Sequence, residues 1–341
     1  MNNRGKKLDR LVKIENRHPD TYQVTWIINS ICSNSCSYCL PSLFAGTNHG
    51  YEWSNAKRFV EYILQTHKTS HWSISGGEPT MSPFFKEFVK MVYDAGSTVG
   101  MTSNGVKPAY YLVDIAQYMS YIAFSYHPEF SNDDELIEKI LACNYFTNAS
   151  VRVMLPANEP YWSKSVNFLK RLNRLQAITY ESVKVLRYED NSGPIAAETY
   201  NYSQDQLDFF ENEIARGSMK VPNYLLDKNH IPIEANYYEK NGTIRTHPEV
   251  NAVDYINQGF SNFQGWKCYA GLESVFIGAD GRIQTANCTN DPIIGWIDKP
   301  EEIKWPTKAT ICNLGICHCA TDFILTKKPP KSQKILTQSI I

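Results

Sequence analysis

Hydrophobic and polar positions along this chain alternate between two periods. Tyr22–Ile28 (Tyr-Gln-Val-Thr-Trp-Ile-Ile) is rich in β-branched and aromatic residues and predicts a strand. Ser54–Thr66 then carries Ala56, Phe59, Val60, Ile63 and Leu64 at helical spacing behind a Ser N-cap. His71–Ser75 predicts a second strand. Pro83–Ala95 repeats the helical spacing with Phe84, Phe85, Phe88, Val89 and Val92, and Gly96 follows as a C-cap. Further strands are expected at Thr98–Thr102, Tyr121–Ser125, Ala149–Leu155 and Ser182–Leu186. Helices are expected between them at Tyr110–Ala116, Asp134–Ala142 and Trp162–Leu172. Strands alternating with helices in this way predict parallel βα units and an α/β fold.

Beyond Asp190 the pattern loosens. The stretch to Gly265 is rich in Tyr and Asn, and Asn241-Gly242 between Glu234–Glu239 and Thr243–Thr246 predicts a hairpin. Asp280-Gly281 between Glu273–Gly278 and Arg282–Ala286 predicts another. With 341 residues the chain is long enough for one large domain and a smaller one. Its 34 Lys and Arg against 35 Asp and Glu give a formal charge of −1, so no global basic field points to nucleic acid. No apolar run approaches the ~18 residues of a membrane span. Arg4, Lys6, Lys7 and Arg10 read as a solvated N-terminal arm, since Lys13, Glu15, Asn16 and Arg17 break any apolar stretch behind them. The expectation is therefore a cytoplasmic protein whose nine cysteines, an odd number, stay reduced.

Those cysteines form two groups and a singleton. Cys32, Cys36 and Cys39 fall within eight residues at the C-terminal end of the first strand, where parallel α/β sheets place their chemistry. Structural zinc asks for four protein ligands. Three thiolates on one loop instead suit a 4Fe–4S cube with one iron left open. Cys268, Cys288, Cys312, Cys317 and Cys319 form the second group, and Cys143 reads as a buried core thiol.

Cys-x3-Cys-x2-Cys with Tyr38 just before the last cysteine resembles the radical S-adenosylmethionine (radical SAM) superfamily. A second match follows the next strand, where Ser75 leads into Gly76-Gly77-Glu78-Pro79 and resembles that family's Gly-Gly-Glu-Pro motif. Paired glycines let backbone approach a ligand closely. The resemblance implies that this loop binds the amino group of S-adenosylmethionine. Thr102-Ser103-Asn104-Gly105 resembles the family's ribose-side turn, though a plain Asn-Gly turn is the other reading. Ser125 is where the family uses a Ser for ribose or carboxylate, and Arg152 can pair with the ligand carboxylate or merely cap the rim. Leu186 can pack on adenine or on ordinary core.

The fold so implied is a partial (βα)6 TIM-like barrel, which the alternation alone does not separate from a doubly wound sheet. The C-terminal cysteines resemble the auxiliary-cluster extensions called SPASM and twitch. Five cysteines ligate one cube, with Cys268, Cys288, Cys317 and one of Cys312 or Cys319 favoured. A zinc ribbon is the alternative. The division expected is an arm at 1–20, a radical SAM core at 21–190, a bridging, substrate-facing segment at 191–265, a small hairpin-containing auxiliary-cluster domain at 266–322 and a tail at 323–341.

The resemblance further implies reductive cleavage of S-adenosylmethionine at the first cluster. The 5′-deoxyadenosyl radical then takes a hydrogen atom from substrate, with an electron donor such as flavodoxin or ferredoxin. Orientation then matters more than acid–base groups, consistent with the lack of a triad or carboxylate pair. The expected substrate is a peptide or protein side chain. The alternatives are a small polar metabolite such as an aminosugar, or a non-catalytic metal scaffold. Peptide epimerisation would need a thiol to return a hydrogen atom, and only Cys143 or the spare C-terminal cysteine is available for it.

Overall fold

The computed structural model describes residues 10–16, 20–44, 46, 51–187, 198–199, 201–217, 233–238, 244–247, 260–288, 292–317 and 319–330. After β1 (Arg10–Asn16) come six strands, β2 (Thr21–Ile27), β3 (Thr69–Ser75), β4 (Thr98–Ser103), β5 (Tyr121–Tyr126), β6 (Asn148–Leu155) and β7 (Thr179–Lys184). The helices that follow them in turn are α1 (Trp53–Thr66), α2 (Phe85–Asp94), α3 (Ala109–Ala116), α4 (Asp133–Cys143), α5 (Tyr161–Leu175) and α6 (Gln204–Gly217). Strands β2 to β7 pair in parallel and in sequence order, so the winding never reverses. A doubly wound sheet needs such a reversal. The chain is thus an α/β protein with a singly wound parallel sheet.

Burial shows what the winding achieves. Along β2, Tyr22, Val24 and Trp26 are buried while Thr21, Gln23, Thr25 and Ile27 are half-buried, and β3 repeats the alternation. One face of the sheet packs under the helices and the other stays partly open. On α2, Phe85, Phe88, Val89 and Val92 form the inward stripe. Phe88 stands edge-on to Trp26 at 5.2 Å and to Trp72 at 5.4 Å, an arrangement aromatic quadrupoles favour. α2 is capped by Ala95 rather than Gly96, and Gly96 follows at φ +74°, which suits a residue without Cβ. α1 differs from expectation. It starts at Trp53 behind Glu52 with no side-chain cap, and its entry is held by Trp53 stacking on Phe84 at 4.5 Å.

The C-terminal part extends the core sheet. After β8 (Leu186–Arg187), β9 (Glu198–Thr199), β10 (Ile233–Tyr238), β11 (Ile244–His247) and β12 (Lys267–Cys268), the chain forms β13 (Ser274–Ile277), β14 (Arg282–Gln284) and β15 (Ile293–Trp296). β13 runs parallel to β2, and β14 and β15 add antiparallel strands to make a sheet of nine. The Asp280-Gly281 turn joins β13 to β14 as read from the sequence, with Gly281 at φ +87°. Tyr22 fastens the junction by donating its hydroxyl to the Ser274 carbonyl at 2.9 Å.

A second sheet has the order β11-β10-β1-β17-β12-β16, with β16 (Thr310–Ile311) and β17 (Lys327–Lys328). β10 and β11 pair antiparallel as the Asn-Gly hairpin predicts, and the turn itself lies outside the described residues. β1 comes from the stretch assigned to the arm, and β17 from the stretch assigned to the tail. α6 falls in the segment read as irregular. The last core strand begins at Thr179 rather than Ser182 and ends before Leu186, which belongs to β8. Among the described residues no helix is long and apolar enough to cross a membrane.

Phe88→Ala is expected to cost about 3–5 kcal/mol in urea unfolding, because its neighbours in the aromatic stack cannot collapse into the gap. His67 stacks on Tyr22 at 3.9 Å, and burial lowers its pKa from the ordinary value. The unfolded chain therefore binds more protons as pH falls through the ordinary His range, and stability drops there. His67→Phe keeps the ring and should show a smaller loss of melting temperature between pH 8 and pH 5 than the parent protein. An equal loss would place the acid sensitivity elsewhere.

Candidate functional site

The cysteine loop leaves β2 and is stitched to the loop after β3 by main-chain bonds. Ile28 N donates to Ser75 O at 2.9 Å, Gly77 N to Asn29 O at 3.0 Å, and Glu78 N to Ile31 O at 2.7 Å. The two motifs thus form one structure. A Cβ on Gly77 would stand 2.3 Å from Ile31 O and 2.5 Å from Leu43 O. The close approach this glycine permits is to the cysteine loop itself. A Cβ on Gly76, which has φ +145°, would likewise stand 2.6 Å from Asn29 O. Asn29, buried and unnoticed in the sequence, donates its amide to Glu78 O at 2.9 Å and to Ser82 Oγ at 2.8 Å. Pro79, also buried, opens a short 3-10 turn.

Glu78 is 0% exposed. Its carboxylate accepts from Thr80 N at 3.0 Å, Thr80 Oγ1 at 2.6 Å, Ser103 Oγ at 2.9 Å and Asn104 N at 2.7 Å. Burial pushes its pKa up while these donors oppose the shift. With four donors on it, the carboxylate ties the end of β3 to the end of β4 rather than facing outward. Ser103 is buried in that bond. Asn104 turns its side-chain amide back to the cysteine loop, donating to Ser33 Oγ at 3.1 Å and to Cys32 Sγ at 3.5 Å. Asn34 N also donates to Cys32 Sγ, at 3.4 Å.

The far side of the loop is clamped by residues that follow β5. Glu129 accepts from Ser37 N at 3.0 Å and from Ser37 Oγ at 2.6 Å. The Tyr38 hydroxyl is bonded to His127 Nδ1 at 2.9 Å. Burial holds His127 down to about 4, so its ring is neutral. Neither residue stood out in the sequence; their signal was only their place at a strand end beside Ser125.

The loop gathers its thiols. Burial, then the charges of Cys39, Glu129 and Cys32, pushes Cys36 up to about 12. Burial and Cys32 push Cys39 up to about 11. Burial also raises Cys32, with Asn34 and Asn104 opposing. Thiols that resist ionisation and sense one another become ligands when a metal supplies the compensating charge. With the side chains oriented as they are, no three His, Cys, Asp or Glu among the described residues converge as a metal-holding group. The fit to a metal centre rests on the donor set: three thiols on one anchored loop, one of them already taking two N–H bonds.

The remaining sequence candidates divide. Ser125 is buried at the end of β5 and is the register partner of Arg152 on β6. Arg152 in turn pairs with Glu181 of β7 at 3.4 Å, about half exposed. Leu186 lies in β8, apart from β7, and its side chain is outside what the structure describes. Cys143 is 0% exposed within the main core.

The second cysteine group lies in two adjoining packing clusters of the C-terminal part. Burial raises Cys268 and pushes Cys317 up to about 12; Lys327 pulls against it at both, while Cys312 adds to the rise at Cys268, and Cys268 and Cys319 at Cys317. Cys288 packs with Cys312 against Cys268, Ala270, Ala286 and Leu325. Cys288 Sγ also reaches Asp322 Oδ2 at 3.7 Å. Cys319 Sγ lies 2.9 Å from Thr321 Oγ1 and accepts from Asn287 Nδ2 at 3.7 Å. Cys312 packs against the clusters containing Cys268 and Cys317 alike.

No family model matches the chain, and no curated protein does. Solved structures do. Native anSMEcpe with bound AdoMet superimposes with a TM-score of 0.50 at 12% identity, over 81% of this chain and 78% of that one. Native anSMEcpe with bound AdoMet and Cp18Cys peptide gives a TM-score of 0.51 at 13% identity, over 82% and 78%. SuiB from Streptococcus suis gives 0.50 at 11% identity, over 82% of this chain and 64% of SuiB, so the chain spans less than two thirds of SuiB. These likenesses establish a shared fold, and it agrees with the resemblance carried by the cysteine loop.

Glu78→Ala would leave two backbone N–H groups and two hydroxyls without their acceptor. It is expected to cost at least about 2 kcal/mol in urea unfolding. Gly77→Ala should displace the cysteine loop while leaving the helical far-UV signal in place, seen as faster alkylation of Cys36 in the metal-free protein. An unchanged alkylation rate would show that the contact with Ile31 is dispensable.

Proposed function

We propose that this chain is a radical S-adenosylmethionine enzyme on a partial (βα)6 barrel. It cleaves S-adenosylmethionine reductively and uses the 5′-deoxyadenosyl radical to take a hydrogen atom from a peptide or protein side chain. The observation that carries the reading is the anchored three-cysteine loop, in a fold shared with a protein that holds AdoMet. Cys32, Cys36 and Cys39 would hold a 4Fe–4S cluster. Bound there, such a cluster supplies the single low-potential electron that splits the S–C5′ bond.

The chain's own residues do the rest by position. The stitched segments 28–31 and 75–78 fix where the open side of the loop points. Glu78 holds the β3 and β4 ends together, and Asn104 steadies Cys32 by donating to its sulfur. His127 and Glu129 restrain Tyr38 and Ser37, so the thiols cannot drift as substrate enters. Arg152, on a rim left partly open, is available to a ligand carboxylate once it leaves Glu181. Such restraint is the protein's contribution to a reaction in which ~1 Å of misplacement costs about 100-fold.

The peptide reading draws support from the fold shared with anSMEcpe, which was solved holding AdoMet together with a peptide. A second 4Fe–4S cluster on the C-terminal cysteines, in a SPASM or twitch-like module, would bind substrate or accept the electron left after hydrogen abstraction.

Anaerobically reconstituted protein with dithionite is expected to release 5′-deoxyadenosine from S-adenosylmethionine, and Cys36→Ala to fall to the uncatalysed background. Incubation with peptides encoded beside the gene should shift a peptide mass. A mass change on a small polar metabolite, with none on any peptide, would move the assignment to the other substrate class. No deoxyadenosine under any condition would end the radical reading.

A further inference from the structure

Lys327 is a cation that the chemistry above leaves unused. It is 1% exposed. Its Nζ donates to three main-chain carbonyls, Asp322 O at 2.5 Å, Phe323 O at 3.2 Å and Leu325 O at 3.4 Å. The rings of Phe263 and Phe323 stand 5.1 and 5.9 Å from it. These contacts orient an ammonium, but each is neutral overall. A buried charge costs several kcal/mol unless opposite charge nearby balances it.

The opposite charge has an obvious place. Lys327 is the cross-strand register partner of Cys268. Phe263 and Phe323, which flank its ammonium, pack with Cys317. The charge of Lys327 is felt at both Cys268 and Cys317. As thiols these cysteines offer it nothing. As thiolates around a metal they form a centre of net negative charge. Asp322, buried and felt at the same two cysteines, offers Lys327 one carboxylate; thiolates around a metal add negative charge beyond it, and Lys327 is the cation they meet.

We propose that Lys327 is the built-in counter-charge of a thiolate-ligated metal centre held by Cys268, Cys317 and their neighbours, and that it governs how firmly that centre is kept and its reduction potential. This rests on the auxiliary-cluster reading and adds a positioning residue to it. Removing the cation disfavours adding an electron, so the potential must move negative; removing the Asp322 charge must move it positive.

The test uses the full chain with Cys32, Cys36 and Cys39 replaced by Ala, so that only the C-terminal thiols can hold metal. The background protein is reconstituted anaerobically with iron and sulfide and compared with Lys327→Gln, Lys327→Arg and Asp322→Asn. Glutamine still donates N–H bonds to the carbonyls but carries no charge, which separates orientation from electrostatics. Lys327→Gln is expected to lose iron to a chelator about 10-fold faster or more, with the midpoint potential of the remainder shifted negative. Lys327→Arg should hold both near the background values. Asp322→Asn should shift the potential positive, and it provides the reading if Lys327→Gln fails to fold. Equal iron retention and equal potentials in all variants would overturn the proposal. A background protein that holds no iron would overturn the auxiliary-cluster reading, and this proposal with it.

Discussion

Everything at the candidate site depends on a buried carboxylate that cannot be left without donors. Glu78 sits where the chain turns from β3, and a desolvated carboxylate is tolerable only if hydrogen bonds replace the lost water. Thr80, Ser103 and Asn104 supply them. Satisfying one charge therefore fixes two strand ends. Asn104, fixed through its backbone N–H, is then free to turn its side chain to Cys32 and Ser33. The Gly76-Gly77 pair completes the arrangement by letting the β3 loop lie against the cysteine loop. The Gly-Gly-Glu-Pro segment acts here as the keel on which the cysteine loop is mounted.

The same economy joins the C-terminal module to the core. β13 pairs with β2, the strand that delivers the first cysteines, and Tyr22 bonds to the chain that leads into β13. On the other side, β1, which precedes β2 in the chain, is a neighbour of β17, where Lys327 lies. The two cysteine groups, more than two hundred residues apart in sequence, are thereby tied through the pairings of β1 and β2.

The sequence made some of this readable and hid the rest for physical reasons. The six βα units were legible because Trp26, Phe88 and their like repeat at the strand and helix periods. The cysteine loop was legible because three thiols at fixed spacing are rare without a ligand. The role of Glu78 was not, because a motif names a residue and not the direction its side chain takes. β17 was hidden because it is two residues long and β1 because charged residues interrupt it, and both are held by partners distant in sequence. In such strands the pairing, not the local pattern, decides the conformation. Lys327 belongs to no motif, and its burial comes only from the pairing of β17 with β1 and β12. α6 was missed because its polar surroundings masked a modest apolar stripe. Leu186 was misplaced because a run of apolar residues does not mark where one strand stops and the next begins.

The central claim is that the cysteine loop is held in place by the protein before any metal arrives. Hydrogen exchange on metal-free protein tests this most directly. The account predicts strong protection at the Gly77, Glu78, Thr80 and Asn104 amides in the absence of iron, close to that of the core strands. Fast exchange at these amides, slowing only after cluster assembly, would mean that the metal builds the site and that the Glu78 hub does not.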